Sequence, residues 1–310
     1  MGRKANVKQL VIISGKGGTG KTSLVACFAA LAQDKVLADC DVDAADLHLI
    51  LSPTVRKEEF FHGTPRFTVN QEKCVRCEKC LPLCRFGAIE ARRGEDGELQ
   101  EVTIDPVSCE GCRVCAYLCP AEAIEQVSKE LGRWFLSDTR HGPMVHARLG
   151  IAEENSGKLV TIVRTEARRI AEEEGFELII VDGPPGIGCP VIASITGANL
   201  VLVVTEPTLS ARHDLERAVA LVANFGIQAA ACVNKCDLNP GIVAEIRDWC
   251  SKNAAPVIGE VPYDPAFTRA QMRGESIVEH SHGPAAIAVR EVWSRLADLL
   301  ERQGNGGRLP

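Results

Sequence analysis

"QLVIISGKGGTGKTSLVACFAALA", residues 9–32, changes character twice. Residues 9–14 form a short apolar run rich in β-branched side chains, the pattern of a strand buried on both faces. Residues 15–20 hold Gly15, Gly17, Gly18 and Gly20, so successive backbone N–H groups are free to converge on one point. From Thr22 to Ala32 the chain turns Ala- and Leu-rich and reads as a helix. A helix that opens off such a loop presents its positive end to anions, and the spacing GxxxxGK[ST] is that of a phosphate loop. Lys21 is thereby expected on the β- and γ-phosphates and Thr22 on Mg²⁺, with Thr19 and Ser23 completing the nucleotide-binding set. Lys16 is a second lysine that the ordinary loop does not need.

Outward from this stretch, "KVLAD" (35–39) is a further strand that ends in the acidic "DCDVDAAD". Strand, loop, helix and strand make a βαβ unit. "FELIIVDGPPG" is a buried strand running into a turn, and strands at 199–207, 228–235 and 255–262 follow. Helices are expected at 156–175, capped by Ser156 and ended by Gly175, at about 210–225 and 240–253, and at 283–303, with a tail at 304–310. "HGPMVHARLGIAEENSGK" (141–158) reads as a polar loop. The alternation implies an α/β fold, a mostly parallel sheet with helices on both faces. Asp182, at the end of "LIIVD", is the acidic strand-end residue expected to hold Mg²⁺ through water. Asp39 is expected to support Mg²⁺ and Asp41 to orient the attacking water, while Asp43 is solvated.

Between these halves the chain is Cys-rich. Of 14 cysteines, eight fall between residues 74 and 119. "NQEKCVRCEKCLPLCRFGAIE" (70–90) repeats as "DPVSCEGCRVCAYLCPAEAIE" (105–125) at an offset of 35, with every Cys in register. Each copy reads C-x₂-C-x₂-C-x₃-C, the spacing of two-cluster ferredoxins, in which the fourth ligand belongs to the other cluster. Cys74, Cys77, Cys80 and Cys119 are therefore assigned to one [4Fe–4S] cluster. Cys84, Cys109, Cys112 and Cys115 are assigned to the second. A zinc site would instead pair two knuckles across a longer loop. Arg85 stands where the second copy has Pro120. The expected organisation is a discontinuous ATPase domain, 1–61 and 132–303, interrupted by an α+β ferredoxin-like insertion at 62–131.

The 310 residues carry a formal charge of −6, which argues against a DNA-coating role and gives no expectation of a nucleic-acid partner. No apolar run is long enough to span a bilayer, so stable membrane insertion is not expected. A basic tip leads straight into the first strand, so a cleaved leader is not expected. Asn6 replaces the Ser or Thr of a myristoylation signal. Clustered rather than dispersed cysteines suit a reducing cytoplasm.

"KGGTGK" with its early lysine, "DCD", "DGPPG" and "VNK" together resemble the MinD/Mrp class of deviant Walker A ATPases, which includes the nitrogenase iron protein and the ParA proteins. The resemblance covers about 1–60 and 137–300. It implies that Lys16 reaches across an ATP-dependent homodimer to the partner's nucleotide, making Lys16, Lys21 and Asp41 the catalytic set. It further implies that Asn234 and the backbone near Val261 and Pro262 surround adenine, although Asn234, Lys235 and Asp237 also fit the guanine-reading NKxD pattern. Taken whole, the chain resembles MinD-superfamily ATPases with an inserted ferredoxin domain. ATP would be coupled to electron transfer, or to assembly and carriage of a metal cluster, with a redox or cluster-accepting protein as partner. The alternative is a positioning or partition switch with the insertion as redox sensor. Cys189, next to Pro190, is a candidate for metal or thiol transfer, aided by His141 or His146. Cys27, Cys40 and Cys232 read as packing residues, and Cys236 and Cys250 as bystanders.

Overall fold

The computed structural model describes residues 7–63, 65–127, 130–150 and 156–304. The Asn6 reading, residues 151–155 of the expected loop and the tail from 305 lie outside the described residues. Along the chain come β1 (Lys8–Ser14), α1 (Lys21–Leu31), β2 (Lys35–Asp39), α2 (Leu47–Leu51) and β3 (Thr54–His62). The Cys-rich stretch carries β4 (Arg66–Val69), β5 (Ile89–Arg93), β6 (Leu99–Ile104), α3 (Val114–Tyr117) and β7 (Ile124–Val127). Then follow β8 (Glu130–Thr139), β9 (Gly142–Leu149), α4 (Ser156–Glu174), β10 (Leu178–Pro185), α5 (Cys189–Ile195) and β11 (Leu200–Thr205). The chain closes with α6 (Leu209–Asn224), β12 (Gln228–Asn234), α7 (Pro240–Lys252), β13 (Val257–Val261), α8 (Ala266–Gln271), α9 (Ile277–His280) and α10 (Pro284–Gly304). Two units separate: the described residues up to Glu59, Arg133–Leu149 and those from Ser156 form one, and Phe60–Gly132 with Gly150 the other.

The first unit is built on a sheet of order β13-β12-β11-β1-β10-β2-β9-β8-β3. β1 lies between β10 and β11, all three parallel, with Leu10 level with both Ile180 and Leu200. It can occupy the centre because Leu10, Val11, Ile12 and Ile13 are apolar on both faces and fully buried. α1 is buried over most of its surface and packs with α10 on one face, where Phe28 and Trp293 sit 5.6 Å apart. α4 packs on β2 and β9, and α6 on β11 and β12. Asp182 and Asp39 are register partners at the ends of β10 and β2. The carboxyl ends of β1, β2 and β10 therefore open side by side, where parallel α/β sheets place their ligands.

One expectation fails. Residues 141–158 are not a loop throughout: β9 runs from Gly142 to Leu149 with residues 143–147 buried, and β8 before it was not anticipated. The polar reading was misled by His146, which is buried without being charged. Its Nε2 lies 2.9 Å from Ser137 Oγ, and its ring stacks on Phe135 at 5.0 Å and on His48 at 6.3 Å.

The second unit carries the sequence repeat into its backbone. β4 pairs antiparallel with β7 and β5 with β6. At the offset of 35, Arg76 and Gly111 both take left-handed conformations (φ 54° and 64°), as do Glu78 and Arg113 (57° and 67°). Gly87 and Glu122 match in the same way (63° and 48°). Between the halves lies a small core of Phe67, Val69, Ile89, Val102 and Ile124, against which the cysteines pack.

Burial lowers the His146 pKa to about 4, with His48 and Arg148 adding to the effect. A histidine held neutral in the fold and free to charge when unfolded costs stability as pH falls from its ordinary value toward the folded one. Stability should thus drop between about pH 6.5 and 4 by roughly 3 kcal/mol from this residue. Denaturant midpoints measured across that window should show a shallower decline in His146→Gln than in the parent.

Candidate functional site

The loop after β1 is shaped by glycines that nothing else replaces. Gly20 has φ 89°, and a Cβ there would come within 2.3 Å of the Asn234 amide nitrogen. That amide donates to the Thr19 carbonyl at 2.8 Å, so β12 braces the loop from behind. Lys235 adds a second brace, its Nζ donating to the Gly18 carbonyl at 3.0 Å. Gly15 is crowded in the same way by Asp214 of α6, whose Cβ would be 2.3 Å away.

At the foot of the loop one ammonium faces three carboxylates. Lys21 Nζ lies 2.5 Å from Asp182 Oδ1 and 3.4 Å from Asp41 Oδ2. Thr22 Oγ1 accepts from the same Nζ at 3.4 Å. Asp39 is fully buried, and its Oδ1 accepts the Asp41 N–H at 3.2 Å. Burial pushes the Asp39 carboxyl well above the usual carboxylate range, and Asp182 adds repulsion that Lys21 only partly offsets. Asp41 is raised for the same first reason. Burial opposes the Lys21 charge, but Asp182, Asp41 and Asp39 together hold its pKa above the ordinary lysine value. Asp39 Oδ2 and Asp182 Oδ2 are buried with no partner among the described residues. Two orphaned carboxylate oxygens on adjacent strand ends beside a Thr hydroxyl suit a hard divalent cation such as Mg²⁺. Asp43 is exposed.

A cavity of about 670 Å³ opens above this cluster, lined by loop residues, Asp41, Leu49 and Ile50 of α2, and Thr268 and Gln271 of α8 with Met272 just after it. Gln271 also donates to Ser23 Oγ at 2.8 Å. Neither α2 nor α8 was anticipated as a wall, because Leu, Thr and Gln carry no signal of their own. Val261 is buried in the core, and neither it nor Pro262 lines this cavity. Asp237 Oδ1 accepts the Tyr263 N–H at 2.6 Å. Lys16 turns to β11 and α6 of its own chain: its Nζ lies 2.8 Å from Glu206 Oε1 and 3.3 Å from both Thr208 Oγ1 and Ser210 Oγ. Glu206 Oε2 takes Lys235 Nζ at 2.9 Å, so one carboxylate bridges two lysines of the loop region.

In the second unit, Cys74, Cys77, Cys80 and Cys119 line one recess, and Cys84, Cys109, Cys112 and Cys115 line another. Among the described residues no three His, Cys, Asp or Glu side chains close around a point fit for a single ion. Burial raises the Cys80 thiol, and Cys74, Cys119 and Cys77 add to the shift; for Cys115 the additions come from Cys109 and Cys112. The Ala88 and Ala123 N–H groups donate to Cys84 Sγ at 3.3 Å and Cys119 Sγ at 3.4 Å. Backbone donors aimed at sulfur suit a thiolate ligand of an iron–sulfur centre.

Other cysteines are quieter. Burial pushes Cys27 and Cys232 to about 12 and Cys250 to about 11, and raises Cys40. Cys189 is exposed at the start of α5. His141 and His146, considered as its aids, are engaged elsewhere: His141 lies 3.1 Å from Glu279, and His146 bonds Ser137.

The model of the CobQ/CobB/MinD/ParA nucleotide-binding domain matches residues 10–277. The chain belongs to that family. It is 33% identical over 237 residues to an uncharacterized protein of Methanocaldococcus jannaschii, covering 75% of this chain and 80% of that one. A stretch of 67 residues, 22% of this chain, is 40% identical to pyruvate synthase subunit PorD of the same organism and covers 72% of it. Among solved structures, MinD in the MinC:MinD complex of Aquifex aeolicus aligns with TM-score 0.56 and 19% identity, covering 98% of each chain. MinD of Pyrococcus horikoshii with Mg-ADP aligns with TM-score 0.54 and 14% identity, over 98% of this chain and all of that one. The parallel sheet with its central loop is thus the MinD-like P-loop fold.

Asp39→Asn removes one of three crowded carboxylates. At pH 8 the variant should be more stable without nucleotide by about 1 kcal/mol, yet lose the Mg²⁺-dependent part of its nucleotide affinity. Thermal melts paired with nucleotide titrations, with and without Mg²⁺, check both halves.

Proposed function

We propose that this chain is an ATPase whose nucleotide-dependent pairing with a second copy is coupled to two [4Fe–4S] clusters. The observation that carries the reading is the division of eight cysteines into two recesses of four, each mixing the two sequence copies as crossed ligation requires. The Cys84 and Cys119 contacts from Ala88 and Ala123 support it, because the two crossing ligands receive matching donors. Mg²⁺ would be held by Thr22, Asp39 and Asp182 and supplies charge neutralisation on the phosphates; the clusters supply one-electron redox chemistry. The loop N–H groups bind and orient the phosphates, and Lys21, kept charged by its carboxylates, balances their charge. Asp41, made more basic by burial, accepts a proton from the attacking water. Lys16 must exchange Glu206 for the second copy's nucleotide, a swap of one anion for another. ATP is favoured over GTP because the MinD of Pyrococcus horikoshii, of the same fold, is complexed with Mg-ADP.

Two couplings share this machinery: electron transfer to a protein partner, and assembly or carriage of a cluster, for which the exposed Cys189 is the natural handling thiol. The MinD-like fold favours a second reading, a positioning switch with the Cys-rich unit as redox sensor. Anaerobic EPR with and without ATP separates them. Coupling predicts nucleotide-dependent cluster signals and about eight irons per chain. Four irons would end the two-cluster reading, and signals indifferent to ATP, with ATP turnover indifferent to cluster oxidation, would favour the switch.

Lys16→Ala should bind ATP within about twofold of the parent but fail to pair, as read by light scattering with ATP and Mg²⁺. Unchanged pairing would remove Lys16 from the dimer contact.

A further inference from the structure

The short segment that walls the nucleotide cavity also walls a second cavity, of about 370 Å³. Ala44, Asp46, Leu49 and Ile50 line the first, whereas Ala45, His48 and Ser52 line the second. The other wall of the second cavity comes from β8 and β9, through Phe135, His146, Ala147 and Arg148. All of these residues belong to the first unit.

The lining is chemically one-sided. Arg148, His48 and His146 all carry basic nitrogens, and among the described residues no carboxylate lines the space. Arg148 is exposed and makes no ion pair or hydrogen bond among the described residues. The His48 ring has only its stacking contact with His146. His146 is 9% exposed, and its Nε2 is spent on Ser137 Oγ while its Nδ1 has no partner among the described residues. A nearly buried nitrogen without a partner costs free energy that a bound polar group would recover. One permanent cation with no counter-charge suits a singly charged carboxylate better than a dianionic phosphate ester. Away from Arg148 the wall is flat or small: the Phe135 ring, stacked on His146 at 5.0 Å, the buried Ala147, Ala45 and Pro53. A flat apolar body fits against such a surface.

We propose that this cavity binds a small carboxylate with a flat apolar body, and that its occupation steadies α2 and so tightens nucleotide binding on the other side of that segment. α2 has five residues, too few to hold a helix by its own hydrogen bonds. Its Ile50 carbonyl is held by Arg140 Nη1 at 3.0 Å, from the turn between β8 and β9. A ligand seated between α2 and these two strands adds a second tie between the elements that Arg140 already joins. The effect is reciprocal, so bound nucleotide tightens the carboxylate by the same factor.

The test uses the full chain with benzoate as probe, and benzyl alcohol and benzylamine as its neutral and cationic counterparts. Ligand-observed NMR, recorded with Mg-ADP present to keep the phosphate loop occupied, should give a benzoate Kd of about 1 mM or tighter. The two counterparts should bind at least about tenfold more weakly. Arg148→Ala, which removes the cation, and Ala45→Leu, which fills the space without changing charge, should each weaken benzoate about tenfold. Arg148→Lys should recover part of the loss, and the exposed Lys252→Ala should leave binding within about twofold of the parent. Calorimetry should then show Mg-ADP binding about threefold tighter in saturating benzoate for the parent, and unchanged for Arg148→Ala. Absence of benzoate binding, equal binding of benzyl alcohol, or a Kd indifferent to Arg148 and Ala45 would each overturn the site. Selective benzoate binding that leaves Mg-ADP affinity unmoved would overturn the coupling through α2.

Discussion

A single ammonium holds together the point where three strands end. Lys21 pairs with Asp182 and Asp41 and feels the charge of the wholly buried Asp39, and among the described residues no other cation comes within ion-pair range of any of the three. Removing one partner of a buried charge pair costs on the order of 3–5 kcal/mol, so Lys21 and Asp182 stand or fall together. The sheet order exists to serve this cluster: Asp39 and Asp182 meet only because β2 and β10 are in register, and the loop reaches them only because β1 is next to β10. Even so, one ammonium does not satisfy three carboxylates. The residual repulsion, visible in the raised Asp39 and Asp41, is a standing demand for a further positive charge.

A second demand runs the other way along the loop. Glu206 takes Lys16 on one oxygen and Lys235 on the other, while Lys235 also grips the Gly18 carbonyl. The loop is thus tethered from its amino half by one carboxylate and from its carboxyl half by a group of them. Nucleotide phosphates must compete with both, which makes the loop's geometry sensitive to what occupies it without any large movement of the sheet.

Much of this was legible in the amino-acid order. Strands buried on both faces, such as residues 199–205 and 228–234, announce themselves because no polar residue interrupts them. The loop was legible because its glycines follow a strand and precede a helix. The grouping of the cysteines into two recesses, each with three from one copy of the repeat and one from the other, was legible from the spacing and the offset of 35. What stayed hidden depended on neighbours distant in sequence. β9 hid behind His146, a polar residue neutralised by Ser137 and two stacked rings. The cavity walls at Leu49, Gln271 and Met272 are ordinary residues that matter only by location. Asn234 looked like a base-reading side chain, yet its amide nitrogen is committed to Thr19 and its oxygen accepts the Lys235 N–H at 3.0 Å.

The left-handed residues of the Cys-rich unit carry one more implication. Arg76, Glu78, Arg113 and Glu122 all adopt a conformation that disfavours residues with a Cβ by about 1 kcal/mol each. Five buried side chains are a thin reserve against that strain. If the sulfur atoms hold clusters as proposed, a region assembled this way would lean on them for its shape. Under that proposal, oxidative loss of the clusters would be felt as unravelling, turning chemical damage into a degradable stretch of chain.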